Sequence, residues 1–272
     1  MKKLSLYVGL ASLTAVLVAC PQNSTTTPPT NPVLTAPTSI SGTVQGWNGG
    51  TGAVELLASP YADKSASNPA LSTGTISADG TFSVALPSAA GVTPYISDIV
   101  SQASSLLFFA PTSCNGNLPS SDGSARGTVV NLLDIRQNGS YSTSIAAIDL
   151  KDNSANNNLA LDGTAKIWIY ADRATTLNGT ITCTTKGTNF NVTEYLNTNA
   201  VLSQGWNILS QTLNVSASAN SSEVTVENHI TATSDGSFSW NTVDLTAASL
   251  HASSIGKINL VQRAAVVRLI KR

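Results

Sequence analysis

The chain predicts an all-β protein: two β-sandwich domains, Ig-like or transthyretin-like, behind an export signal and a flexible tether. Three observations predict it. Short stretches of alternating apolar and polar residues recur along most of the 272 residues. Gly, Asn, Asp or Pro separates them, which is the pattern of half-buried strands joined by turns. Only 11% of the residues are charged, and Ser, Thr and Asn supply the polarity instead, residues that suit strands and turns better than helix interiors. The length leaves ample material for a core, in two domains or one large β domain.

The first element is a targeting segment, residues 1–19. Lys2 and Lys3 precede an apolar stretch from Leu4 to Val18, a charged region followed by a hydrophobic one, as in export signals. The stretch falls short of the ~20 residues that span a bilayer as a helix. It ends Leu17-Val18-Ala19-Cys20, with Pro21 next. These four residues resemble the lipobox of bacterial lipoproteins. The resemblance implies that the signal is cut before Cys20 and that the Cys20 thiol carries a diacylglycerol; in that family the new amino group is often acylated as well. Two or more chains hold a protein stably at a membrane, whereas one does not. The competing readings are an ordinary secretory signal that contains a cysteine and, behind it, an uncleaved membrane helix. The lipoprotein resemblance also implies an address: Pro21 is not the aspartate associated with inner-membrane retention, so an outer membrane or cell surface is favoured. Removing Lys2 and Lys3 from the 14 basic residues leaves 12 against 15 acidic ones, a formal charge of −3. Such a body does not hold anionic lipid by charge, so the acyl chains must anchor it.

Residues 20–37 form the lipidated cysteine and a tether. The run PQNSTTTPPTNPVLTAP offers little to bury and many prolines, so it reads as disordered or polyproline-like, reaching roughly 50 Å when extended. With Cys20 assigned to lipid, Cys114 and Cys183 remain. An exported compartment permits disulfides, and these two are expected to pair; two separate buried thiols are the alternative.

Residues 38–110 form the first expected sandwich and residues 111–272 the second. In the first, strands are expected over 39–47, 52–59 and 80–87. Asp79-Gly80 marks a hairpin turn that aims Phe82 into the core. The order ISGTVQGW, GAVELLAS, GTISADGTFSVALP resembles the carboxypeptidase-regulatory-like or transthyretin-like β-sandwich. That resemblance implies a fold and an accessory role but no chemistry. A Ser/Asn/Pro-rich insertion at 60–72 departs from the pattern. Ser97 or Asp98 is placed to cap a short helix over 97–109 that buries Ile99, Val100, Ala103 and Leu107. In the second block, strands are expected over 127–135, 140–150, 165–172, 179–185, 210–218, 222–233 and 236–243. Asp235-Gly236 and Phe238 echo the earlier hairpin, as a second related sandwich or ordinary hairpin chemistry would. The C-terminal segment, INLVQRAAVVRLIKR, suits a last strand or an amphipathic helix, and its basic end a solvated terminus better than a docking patch.

Candidate chemistry is thin. No nucleophile elbow, P-loop, HExxH or dinucleotide fingerprint stands in a usable context. Ser254-x-x-Lys257 matches a serine-acylating pattern, but it lies near the end of the chain with no later partner motif. The stretch DLKDNSANNNLALDG fails as an EF-hand, with Asn157 where Gly is required and Gly163 where Glu is required. A looser Ca²⁺ site from Asp149, Asp152 and Asp162 competes with a plain polar loop. His229 and His251 have no ligand cluster around them in sequence. The absence of a basic stripe disfavours nucleic acid. No cofactor is implied. The expectation is therefore a bacterial cell-envelope lipoprotein, not an enzyme, with a structural or accessory binding role and an envelope protein as partner. A carbohydrate- or ligand-binding module using Trp47, Trp206 or Trp240 is the second reading, although Trp206, in a turn entering a strand over 204–209, suits a core anchor better than a sugar platform; an unrecognised hydrolase is the third.

Overall fold

The computed structural model describes residues 36–58, 69–107, 113–155, 158–186, 191–218, 221–234 and 238–243. The signal, Cys20, most of the tether, the Asp235-Gly236 turn, His251 and the C-terminal segment lie outside these residues. Within them the protein is all-β. The strands are β1 (Ser39–Thr43), β2 (Gly52–Leu57), β3 (Ala70–Ile76), β4 (Thr81–Ala85), β5 (Ser97–Asp98), β6 (Ser113–Asn117), β7 (Arg126–Val130), β8 (Leu133–Gln137), β9 (Ser140–Asp152), β10 (Leu159–Ala171), β11 (Thr175–Lys186), β12 (Asn191–Leu202), β13 (Gly205–Ala217), β14 (Glu223–Ala232) and β15 (Trp240–Val243), with short helices α1 (Ala89–Val92) and α2 (Ile99–Ser104).

The strands form two connected layers. In the first, β1, β4, β3, β2, β8, the first part of β9 and β15 are hydrogen-bonded in that order. The ring closes where Val44 bridges Trp240 in parallel and the Gln45 N–H donates to the Trp240 carbonyl at 2.8 Å. The closed ring leaves few unpaired edges. Its core gathers Ile40, Val54, Leu56, Ile76, Phe82, Ile135, Ile145 and Trp240. Trp240 stacks on Trp168 with centroids 5.5 Å apart and meets the edge of Phe82 at 4.8 Å. The strands that complete this ring come from both sides of residue 110: β2 pairs with β8, and β15 lies beside β9.

The second layer runs β6, β11, β12, β14, β13, β10, with β7 and the latter part of β9 beside β10. All its pairings are antiparallel except β12 with β14. Here β10 is the shared wall. Its residues Ile167–Ala171 are buried on both faces. Trp168 and Tyr170 face the ring core, whereas Ile167, Ile169 and Ala171 face a second core with Leu177, Leu196, Leu209, Ile230 and the α2 residues Ile99 and Ala103. A continuous apolar run is what such a doubly covered strand requires. A third, smaller cluster of Leu161, Val192, Leu213, Val215 and Val226 lies on the same inner face. The buried side chains of Glu194, Gln211 and Asn228 form a polar group on that face too. The Gln211 and Asn228 amides each donate to the Leu106 carbonyl at 3.2 Å, fixing the chain just beyond α2.

Local chemistry explains the turns. Asp98 caps α2, its carboxylate accepting the Ser101 N–H at 2.7 Å, as expected. At the β3–β4 turn only Gly80 takes positive φ. Ser77 N–H bonds the Thr81 carbonyl and Gly80 N–H the Ser77 carbonyl, so the loop is longer than a two-residue Asp-Gly turn. The two-residue hairpin is at Asn138-Gly139, where both residues have positive φ and Gln137 pairs with Ser140. The expected strand over 127–135 is two strands: β7 belongs to the layer beside β10, β8 to the ring, and buried Asn131 and Leu132 cross between them.

Candidate binding face

Alternation in the second layer sends one set of side chains inward to the apolar cores and the other outward. The ring covers one end of the outward face, where Trp168, Tyr170 and Trp206 are buried. Beyond it the face is open, and register lays its side chains in rows across the strands. One row is Asn115, Thr182, Tyr195, Glu227, Asn214, Asp162 and Lys151. The next is Asn117, Thr180, Asn197, His229, Thr212, Thr164 and Asp149. Every one of these residues is exposed or half-buried. Neighbours along a row are about 4.8 Å apart and the rows about 7 Å apart, so the face is a lattice of hydroxyls, amides and a few charges. Tyr195, 39% exposed, is the large aromatic among them.

Several side chains are ordered by one another. Thr180 donates to Asn197 Oδ1 at 2.5 Å, the Ser113 and Thr184 hydroxyls are 2.8 Å apart, and Asn191 donates to Glu223 at 2.8 Å. At the layer's edge, Cys114 and Cys183 stand directly opposite each other on β6 and β11 and form the expected disulfide, Cα atoms 4.1 Å apart. Cys183 is buried and Cys114 exposed. The bond ties a five-residue strand with no buried side chain to the sheet.

The aspartates considered for Ca²⁺ lie on or beside this face without gathering. Among the described residues no group of three His, Cys, Asp or Glu side chains is placed to hold a metal ion. Asp162 accepts from the Asn153 amide at 2.6 Å and, with the Asn214 amide assigned so that its nitrogen faces it, from Asn214 at 2.9 Å. Asp152 accepts the Ser154 N–H at 3.0 Å, the bond of an ordinary Asx turn. Asp149 is paired across the sheet with Thr164.

Trp206 is the core anchor expected of it; of the other tryptophans considered as sugar platforms, Trp240 is buried in the core and Trp47 packs half-buried against it. Trp206 is buried, its indole N–H donating to the Pro87 carbonyl at 2.9 Å, and Trp240 is buried between Phe82 and Trp168. Trp47 is half-buried against the ring core, and its N–H donates to Gly50. His229 is exposed on the outward face.

A shallow cleft of about 440 Å³ lies elsewhere, lined by Asp98, Gly123, Ser124, Ala125 and Arg126. Asp98 is engaged with the α2 N-terminus, and Arg126 donates to the Ile96 carbonyl at 3.0 Å. Beside it, hydrogen bonds from the Ser124 hydroxyl and N–H hold the Asp122 carboxyl below its ordinary value. Burial acts to raise Asp172, but the bonds from Arg173 and from the Arg126 N–H outweigh it, and its pKa is lowered. Arg173 is raised in turn by Asp172. These are mutually satisfied charges that brace the loops, and each carboxylate's donors are already in place.

Fold and face together define an all-β protein that presents an open, hydroxyl- and amide-rich sheet surface. Compared with known proteins, the chain matches no family model, no curated protein and no solved structure.

Proposed function

We propose that this is a lipid-anchored protein of the bacterial cell envelope, with a structural or accessory binding role in a surface or outer-membrane assembly, and that the outward face of the second layer is its recognition surface. The observation that carries the reading is the face itself: strands of ten to thirteen residues lay out a continuous polar lattice beside a fully packed core. Globular surfaces need no such regularity, whereas a binding surface gains from side chains held on rigid strands. The Leu17-Val18-Ala19-Cys20 sequence supports the anchor, and the Pro/Thr-rich tether suits a body held away from the bilayer.

Photo-crosslinking in intact cells tests the assignment. With a benzophenone amino acid at Thr212 or Asn199 on the outward face, discrete crosslinked products are expected. With the probe at Ser142, on the ring, they are not. Equal labelling from both sets of positions removes the face as the recognition surface.

A further inference from the structure

We infer that the ligand of the outward face is a neutral glycan, bound over Tyr195. The inference rests on the binding role proposed above and names the chemistry of what that face takes. Charge decides the first step. Around the lattice Asp149, Asp162, Glu223 and Glu227 outnumber Lys151 and Lys186, so a polyanion such as nucleic acid or an acidic lipid surface meets net repulsion. Apolarity decides the second. Among the described residues the large apolar side chains exposed on the face are Tyr195 and Val201, far short of the apolar core that a protein–protein interface buries. What remains is a surface rich in groups that both donate and accept hydrogen bonds, with one ring at its centre.

A sugar ring presents the matching chemistry: a rim of hydroxyls that donate and accept, and a face of C–H bonds that stacks on an aromatic ring. Tyr195 lies between Thr182 on β11 and Glu227 on β14, with Thr193 and Asn197 two residues away on its own strand and Asn214 one strand further. Thr and Asn offer both donors and acceptors and Glu227 accepts only. Thr180 bonds the Asn197 oxygen, which leaves the Asn197 amide nitrogen to donate to a ligand. Neither the Tyr195 ring nor its hydroxyl has a partner among the described residues. A strand-borne ring exposed at 39%, amid side chains held by sheet register, needs little reorganisation to bind.

Affinity gel electrophoresis of the mature lipoprotein in mild detergent tests this, with hydroxyethylcellulose, glucomannan, laminarin or galactomannan cast in the gel and dextran sulfate as the charged control. Retardation by at least one neutral polysaccharide is expected, and none by dextran sulfate. Tyr195→Ala should weaken the retarding interaction at least tenfold, Tyr195→Phe should retain it, and Tyr95→Ala, at another exposed tyrosine, should leave it unchanged. Thermal melts of each variant establish that the fold is intact. Migration unaffected by every neutral polymer, retardation that survives Tyr195→Ala, or stronger retardation by dextran sulfate overturns the glycan assignment. If face-specific crosslinks to a protein persist while no polymer retards the chain, the glycan is wrong and the binding role stands. Loss of both sinks the two together.

Discussion

Asp172 sits where three donors converge. The Arg126 N–H reaches its Oδ1 at 2.9 Å, and the Arg173 guanidinium reaches both oxygens at 3.2 and 3.1 Å. Its pKa in the folded protein is therefore lowered, and the sign of the consequence follows. The native state binds its proton less tightly than the unfolded chain does. The contribution to stability is thus complete above the ordinary carboxylate value and fades as pH falls through the lowered one. Arg173 is nearly half-exposed, so solvent screens the pair and its contribution to stability is small. Asp172→Asn should melt slightly below the wild type at pH 7, and the two curves should converge as the pH drops below about 4. Melting temperature against pH measures it; a gap that widens in acid contradicts the assignment. At the same scale, Gly80 is constrained twice over. It holds φ at +84°, and a Cβ there would lie 2.8 Å from Trp47 Cβ and 2.9 Å from the Val44 carbonyl. The sequence marked the turn through Asp79-Gly80 but not its length. Asn138-Gly139, a stronger two-residue signal, went unread as a turn.

Among elements, β6 and β11 show how the chain compensates for a strand that buries nothing. Ser113–Asn117 has no apolar side chain besides Cys114, so hydrogen bonds to β11 and the Cys114–Cys183 bond hold it. The bridged residues are 69 apart in sequence, and closing a loop of that size in the unfolded chain is worth about 4 kcal/mol in the chain-entropy model. Cys114→Ser/Cys183→Ser should lose about that much in urea unfolding, with amide exchange rising first in β6. An unchanged midpoint would mean that the bond adds no constraint. This pairing was legible in the cysteine count and the expected export; the strand carrying Cys114 was not, because SCNGN has no apolar alternation. Strand β12 escaped detection for a related reason. Its inward positions are Val192, Glu194, Leu196, Thr198, Ala200 and Leu202, and the buried Glu and Thr break the pattern that marks a half-buried strand. Helix α2 was legible because Asp98 is a strong cap ahead of spaced apolar residues. The split of 127–135 was not, because no Gly or Pro stands between β7 and β8 to mark a break.

For the whole molecule, the all-β class was readable from alternation and composition, whereas the way the layers share strands was not. Long strands such as β9 serve both layers, with Ser140–Ala147 in the ring and Ile148–Asp152 beside β10, and pairings of that range leave no trace in local sequence. The proposed binding face was hidden for the same reason. Thr182, Tyr195, Glu227 and Asn214 are scattered singly along the chain, and only register sets them in a row. Of the tryptophans, conspicuous in sequence, Trp240 instead packs the ring against β10 by stacking on Trp168.

Membrane attachment through Cys20 is the claim on which the envelope role turns. Fractionation of cells expressing the wild type and Cys20→Ser, with labelled palmitate fed to both, tests it most directly. The account predicts a palmitate-labelled wild type in the membrane fraction that resists high salt, and an unlabelled Cys20→Ser protein released from that fraction. A Cys20→Ser protein that stays on the membrane as firmly as the wild type, or a wild type that takes up no label, contradicts it.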